Sequence, residues 1–222
     1  MDIGFYIIWN KHSVKSKGNV VGDELFAESL CKSINKQFKS INAELYAPNY
    51  LPKKKLDALI YLNESAPNEK LSKYHFLYIQ NGCEENIDII INKSIALGYD
   101  GHIFFSEIIK NLFDKKKQPR KNSLYLPFGV DLDHFSPRQR ENRFTFDCAF
   151  IGNDIKGPES AMKYLYPAAE FNFGLFGNWK VERHKYKIWK NLKKLPPYKK
   201  VFENLSRGKI SQNDVPILYS SA

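Results

Sequence analysis

Ligand sites in open α/β sheets form at the carboxyl ends of the strands. The polar residues that close each apolar run of this chain are therefore its first candidates for chemistry. By that rule Asn10, His12, Asn63, Glu64, Gln80, Asn81, Ser106 and Glu107 face a site. Of these, His12 and Glu64 are the candidate bases toward a hydroxyl group, whereas Gln80 and Asn81 can only hydrogen-bond. A second set lies further along. Gly152-Asn153 closes an apolar run ahead of a helical stretch. A glycine there lets the backbone approach a phosphate, and the following helix presents its positive end. An ordinary tight strand-to-helix turn asks for the same residue. Lys156 is placed to pair with a phosphate, and Gly177-Asn178-Trp179 ends the next strand, with Trp179 expected in the core. Within 126–137, Gly129 can take a positive φ and Asp131 can hold a turn by accepting backbone amides. Asp131-Leu132-Asp133 has the letters of a metal motif, but its place in a turn makes it structural. No metal centre is expected.

The elements that must carry these residues alternate. Apolar runs at 3–9, 43–46, 58–62, 76–80, 103–105 and 124–126 read as six strands. Leu25, Phe26, Leu30, Ile34 and Phe38 recur near helical spacing and predict an amphipathic helix over 22–38. A second helix runs over 87–97 with Gly98 as its stop, and a third over 107–113. The charged segment 115–121, with Pro119, is a loop. Apolar strands alternating with helices predict an α/β fold, a parallel sheet covered on both faces. His75 and His102 are expected ahead of their strands, at the edge opposite the site. The polar segment 136–144 reads as a linker. A second α/β unit starts at Phe146, with a helix near 158–166, a strand near 172–175 and a helix from 215. The domains expected are 1–135, a Rossmann-like domain, and 145–222, a partial second one. The last residues read as a helix with no closing strand, so a fragment is expected.

Composition narrows the class. A 43% hydrophobic and 14% aromatic content supports a packed core. No run of about 18 apolar residues predicts a membrane span, and the first residues lack the basic region of a signal peptide. Cys31, Cys83 and Cys148 match neither a zinc spacing nor a disulfide framework, which suits the cytoplasm. The formal charge of +10 attracts phosphate. Yet only six of the 34 basic residues are Arg, the residue that reads bases, so nucleic acid is not an expected partner. The stretch 180–200 interleaves Tyr186, Trp189 and Tyr198 with lysines. It reads as a solvated helix with aromatics turned inward, or as a face for an anionic membrane or acidic glycan. The second choice would place the protein peripherally at the inner membrane face. A nucleophile elbow and a P-loop are both absent from the sequence.

Two stretches carry a resemblance: 126–137, Leu-Pro-Phe-Gly-Val-Asp-Leu-Asp-His-Phe-Ser-Pro, and 146–153, Phe-Asp-Cys-Ala-Phe-Ile-Gly-Asn. Lys156-Gly157-Pro158-Glu159, Tyr164-Leu165-Tyr166-Pro167-Ala168 and Phe171-Asn172-Phe173-Gly174-Leu175-Phe176-Gly177-Asn178-Trp179 extend it. Together they resemble GT-B glycosyltransferases of the family-1/family-4-like group, especially the spore-maturation-type glycosyltransferase-like family. The resemblance covers roughly the second half of the chain. It implies two Rossmann-like domains with a nucleotide-sugar in the cleft, and sugar transfer to a glycan, lipid or protein acceptor. It implies no cofactor and no metal, since such folds hold the diphosphate with helix N-termini, amides and basic side chains. It assigns donor binding to Gly129, Asp131, Gly152, Asn153, Lys156, Gly177 and Arg207. Gly18, Asn19, Gln80 and Asn81 fall on the acceptor side, the last two where many related enzymes carry a His. The acidic segment that grips the donor ribose is missing. Little transferase activity is therefore expected of this chain, together with an open sheet edge that favours a homodimer. The alternative reading is a non-catalytic α/β module that binds a glycan or a protein.

Overall fold

A computed structural model describes residues 1–12, 22–80, 86–116, 122–153, 157–179 and 197–222. The chain divides into two compact units, Met1–Gly129 and Val130–Ala222. In the first, β1 (Asp2–Tyr6), β2 (Asn42–Tyr46), β3 (Leu56–Tyr61), β4 (Ser72–Ile79), β5 (Gly101–Phe104) and β6 (Asn122–Tyr125) form one sheet. Every pairing is parallel, in the order β2-β1-β3-β4-β5-β6. Ile3 lies level with Ala43 on one side and Ala58 on the other. The strand order reverses between β1 and β3, and such a reversal opens a crevice at the carboxyl ends.

Helices cover both faces, as parallel sheets require. One face packs Ile3, Phe5, Ile7 and Tyr78 against Ala27 and Cys31 of α1 (Gly22–Gln37). The other packs Leu59, Tyr61, Leu77 and Ile79 against α2 (Ile87–Ala96) and α3 (Glu107–Lys116) through Ile91, Ile109 and Phe113. Successive residues of β4 thus serve opposite cores, the period-two rule of a strand. Asp23 and Glu24 sit in the first turn of α1 and Lys36 in its last, matching the helix dipole. Gly98, at φ +77°, ends α2 in the left-handed conformation that glycine tolerates.

The outer edge of β2 is closed by side chains and a bridge. The Asn35 amide donates to Ala43 O at 2.8 Å and accepts from Ala43 N at 2.7 Å. Lys11 Nζ donates to Leu45 O at 3.4 Å, and Ala47 forms an antiparallel bridge with Tyr50.

Two expectations about histidine fail. β4 starts at Ser72, so His75 lies inside the strand, buried, with Nδ1 3.1 Å from Ser72 Oγ. His102 is the second residue of β5 and is buried against Phe113, ring centroids 4.5 Å apart. A histidine whose ring finds a hydrogen-bond partner is tolerated in a core; Ser72 Oγ serves His75, and Ser94 O lies 3.2 Å from His102 Nε2, so neither ring breaks its strand. Both still lie away from the carboxyl ends.

In the second unit β7 (Cys148–Ile151) and β8 (Phe173–Phe176) pair in parallel. With them are α4 (Gly157–Tyr164), α5 (Pro197–Leu205) and α6 (Val215–Ser221). One core gathers Ala161, Phe173, Leu175, Trp179 and Phe202; another gathers Phe144, Phe176 and Leu218. Residues 136–144 lie on this unit. Phe144 is buried, Arg138 N donates to Ser220 Oγ at 2.9 Å, and Arg143 pairs with Asp214 at 2.7 Å. Among the described residues no helix is long and apolar enough to cross a membrane.

Candidate functional site

The carboxyl ends of β1, β3 and β4 meet around a cavity of about 310 Å³. Its polar lining is Asn63, Glu64, Gln80 and Lys93, and its apolar lining includes Ile8, Leu62 and Tyr78. The strand ends supply all of these except Lys93, which comes from α2. Asn63 is fixed from two sides. Its Oδ1 accepts from Ile8 N at 3.3 Å, and its Nδ2 donates to Asp23 Oδ2 at 2.9 Å. Glu64 forms an ion pair with Lys93 at 2.6 Å. The next residue is pinned by Tyr99, whose hydroxyl donates to Ser65 O and accepts from Ser65 N at 3.2 Å. Burial pushes the Tyr99 hydroxyl up to about 12, so it stays a donor. Tyr78 is likewise pushed up to about 12 by burial and donates to Leu126 O at 2.8 Å.

Gln80 carries the clearest ligand signal. Its Nε2 is buried and meets no hydrogen-bond acceptor among the described residues. Buried amide donors are nearly always satisfied, so an orphan one beside a cavity points to a ligand oxygen. The cavity therefore offers amide, carboxylate and ammonium groups to a polyhydroxylated or otherwise oxygen-rich molecule.

The structure brings Glu64 and Gln80 together here. It places His12 elsewhere, next to Glu24 of α1, with its amide donating to Glu24 Oε1 at 2.5 Å. Gly18, Asn19, Asn81 and Lys156 lie outside the described residues. Lys93 is absent from the strand-end candidates because its role arises from the meeting of a helix and a strand end. No feature of the local sequence marks it.

A second convergence lies in the other unit, at the carboxyl ends of β7 and β8. Gly152 N donates to Phe176 O at 3.0 Å, and Gly177 N to Gly208 O at 2.8 Å. Asn178 N donates to Asn153 Oδ1 at 2.7 Å. Arg207 N donates to Leu175 O at 2.8 Å, which lays the segment after α5 beside β8. Gly152, Asn153, Gly177 and Arg207 thus meet at one sheet end. The amides of Gly152, Gly177 and Asn178 are all spent on protein oxygens, so a phosphate here would rely on side chains. The Arg207 guanidinium stands 5.8 Å over the Phe146 ring. Asp131 holds its turn as expected, its Oδ1 accepting from Asp133 N and His134 N. Gly129 does not use the positive φ that glycine allows. A β-carbon there would meet nothing within 4 Å.

No protein-family model matches the chain, and no curated protein matches it. Fold and site together define an α/β protein whose first unit is a Rossmann-like parallel sheet, with a polar cavity at its switch point.

Proposed function

We propose that the chain is part of a nucleotide-sugar-dependent glycosyltransferase, and that the cavity of the first unit receives the acceptor. The observation that carries this is the buried Gln80 Nε2, without a partner among the described residues, beside Asn63 and Glu64. Amides and a carboxylate around a small crevice are the groups that bind sugar hydroxyls. In the transfer, an acceptor hydroxyl oxygen attacks the anomeric carbon of the donor. The bond from that carbon to the diphosphate oxygen breaks, and the electron pair leaves with the nucleoside diphosphate. Glu64 takes the hydroxyl proton, with Lys93 holding the carboxylate in place. In the second unit Asn153 and Arg207 are the side chains for the diphosphate.

The test is ligand-observed NMR of the chain with a panel of neutral saccharides and, separately, nucleotide-sugars. The expected result is a saccharide that binds the native chain but not Gln80→Leu, and a nucleotide-sugar that binds the native chain but not Arg207→Ala. Saccharide binding without any nucleotide-sugar binding would support the non-catalytic module instead. Absence of both overturns the assignment.

A further inference from the structure

We propose that His12, Glu24 and Glu28 bind a divalent first-row transition cation where the segment after β1 meets α1. The candidate ligand atoms of the three residues all lie within 4.8 Å of one another. Glu24 and Glu28 are four apart in α1, hence on one face of the helix. His12 reaches them because its backbone adopts φ 68°, a conformation uncommon outside glycine. Its amide is held by Glu24 Oε1, and its Nδ1 lies 4.0 Å from that same oxygen.

Glu24 is the second, independent observation. It is only 3% exposed, yet its Oε2 meets no hydrogen-bond donor among the described residues. A buried carboxylate oxygen without a partner is rare in native structures, and a second carboxylate beside it adds like-charge repulsion. A cation answers both. In a tetrahedral site, ligand atoms about 2.1 Å from the ion lie about 3.4 Å apart. A gap of 4.8 Å closes to that with a shift of about 1.4 Å, within the reach of the exposed His12 and Glu28 side chains. One imidazole and two carboxylates suit a borderline ion such as Zn²⁺ better than Mg²⁺ or Ca²⁺, which favour all-oxygen sites. Three protein ligands leave a coordination position for water or an anionic ligand. The spacing 12, 24, 28 matches no ligand signature, so the cluster exists only through the fold.

Chelator-treated full chain is titrated with Zn²⁺ against a chromophoric competitor, and with Co²⁺ for its absorption spectrum. His12→Ala and Glu28→Gln are the first variants, both at exposed positions and so compatible with the fold; Glu24→Gln, close in shape, is the third. One equivalent of Zn²⁺ should bind with a Kd at or below about 1 μM. Each variant should weaken it at least about tenfold, in line with the loss of one ligand. Non-saturable binding, affinity unchanged in His12→Ala and Glu28→Gln, or a sulfur-to-Co²⁺ charge-transfer band would each overturn the site.

Discussion

A β-carbon on Gly177 would stand 1.8 Å from the carbonyl oxygen of Gly152, so the two turns that end β7 and β8 fit together only through a glycine. The φ of Gly177, +134°, is a second reason, since side chains rarely allow it. Gly177→Ala must therefore force the two strand ends apart. The expected loss is at least about 2–3 kcal/mol by urea denaturation. Gly129→Ala is the control. With open space and no positive φ it should change stability by less than about 1 kcal/mol, and in the stabilising direction.

Asn153 ties the same turns together by a side chain. Its Oδ1 caps Asn178 N at 2.7 Å. Asn153→Ala should cost about 1 kcal/mol, and Asn153→Asp, which keeps the acceptor, should cost less. Amide hydrogen exchange at Asn178 separates the two: it should accelerate in the alanine variant and stay slow in the aspartate.

His75 makes stability depend on pH. Burial lowers its pKa from an ordinary value near 6.5, while the Asp100 carboxylate, which accepts the His75 amide at 2.7 Å, opposes that shift. The unfolded chain then binds more protons than the folded one between the two pKa values. Stability therefore falls as pH drops below about 6.5, and levels off below the folded pKa. Denaturation midpoints of the native chain should fall over that window, and His75→Gln should flatten the trend. A native profile as flat as the variant's would show that His75 is not the group responsible.

Cys31 should be chemically silent. Burial, and secondarily the Glu44 carboxylate, push its thiol up to about 12. Almost no thiolate exists at about pH 8, and the side chain is covered by the α1 core. In a Cys83→Ser, Cys148→Ser background, a disulfide reagent should label Cys31 only after denaturant is added.

The strands and helices of the first unit are legible in the sequence because a parallel sheet buried on both faces forces continuous apolar runs between amphipathic helices. Asn63, Glu64 and Gln80 follow from the rule about strand ends. Other features depend on facts that letters do not hold. A polar residue such as His75 looks like a strand boundary until its hydrogen-bond partners are known. Pro197 opens α5, a position where proline is favoured, but the apolar pattern alone does not mark that helix start. Glycine permits a positive φ at Gly129, but the backbone there does not adopt one. Lys93 and the burial of Glu24 come from packing between elements distant in sequence.

The closed edge of β2 bears on how this protein can fail. A sheet's outermost strand is the natural template for a foreign strand, and the start of cross-chain aggregation. Asn35 occupies both outward groups of Ala43, Lys11 one of Leu45, and Tyr50 those of Ala47. An incoming chain would have to displace all three before it could add to this sheet. Asn35 thus acts as a gatekeeper: removing it should reveal itself in solubility and fibril formation before it does in melting temperature.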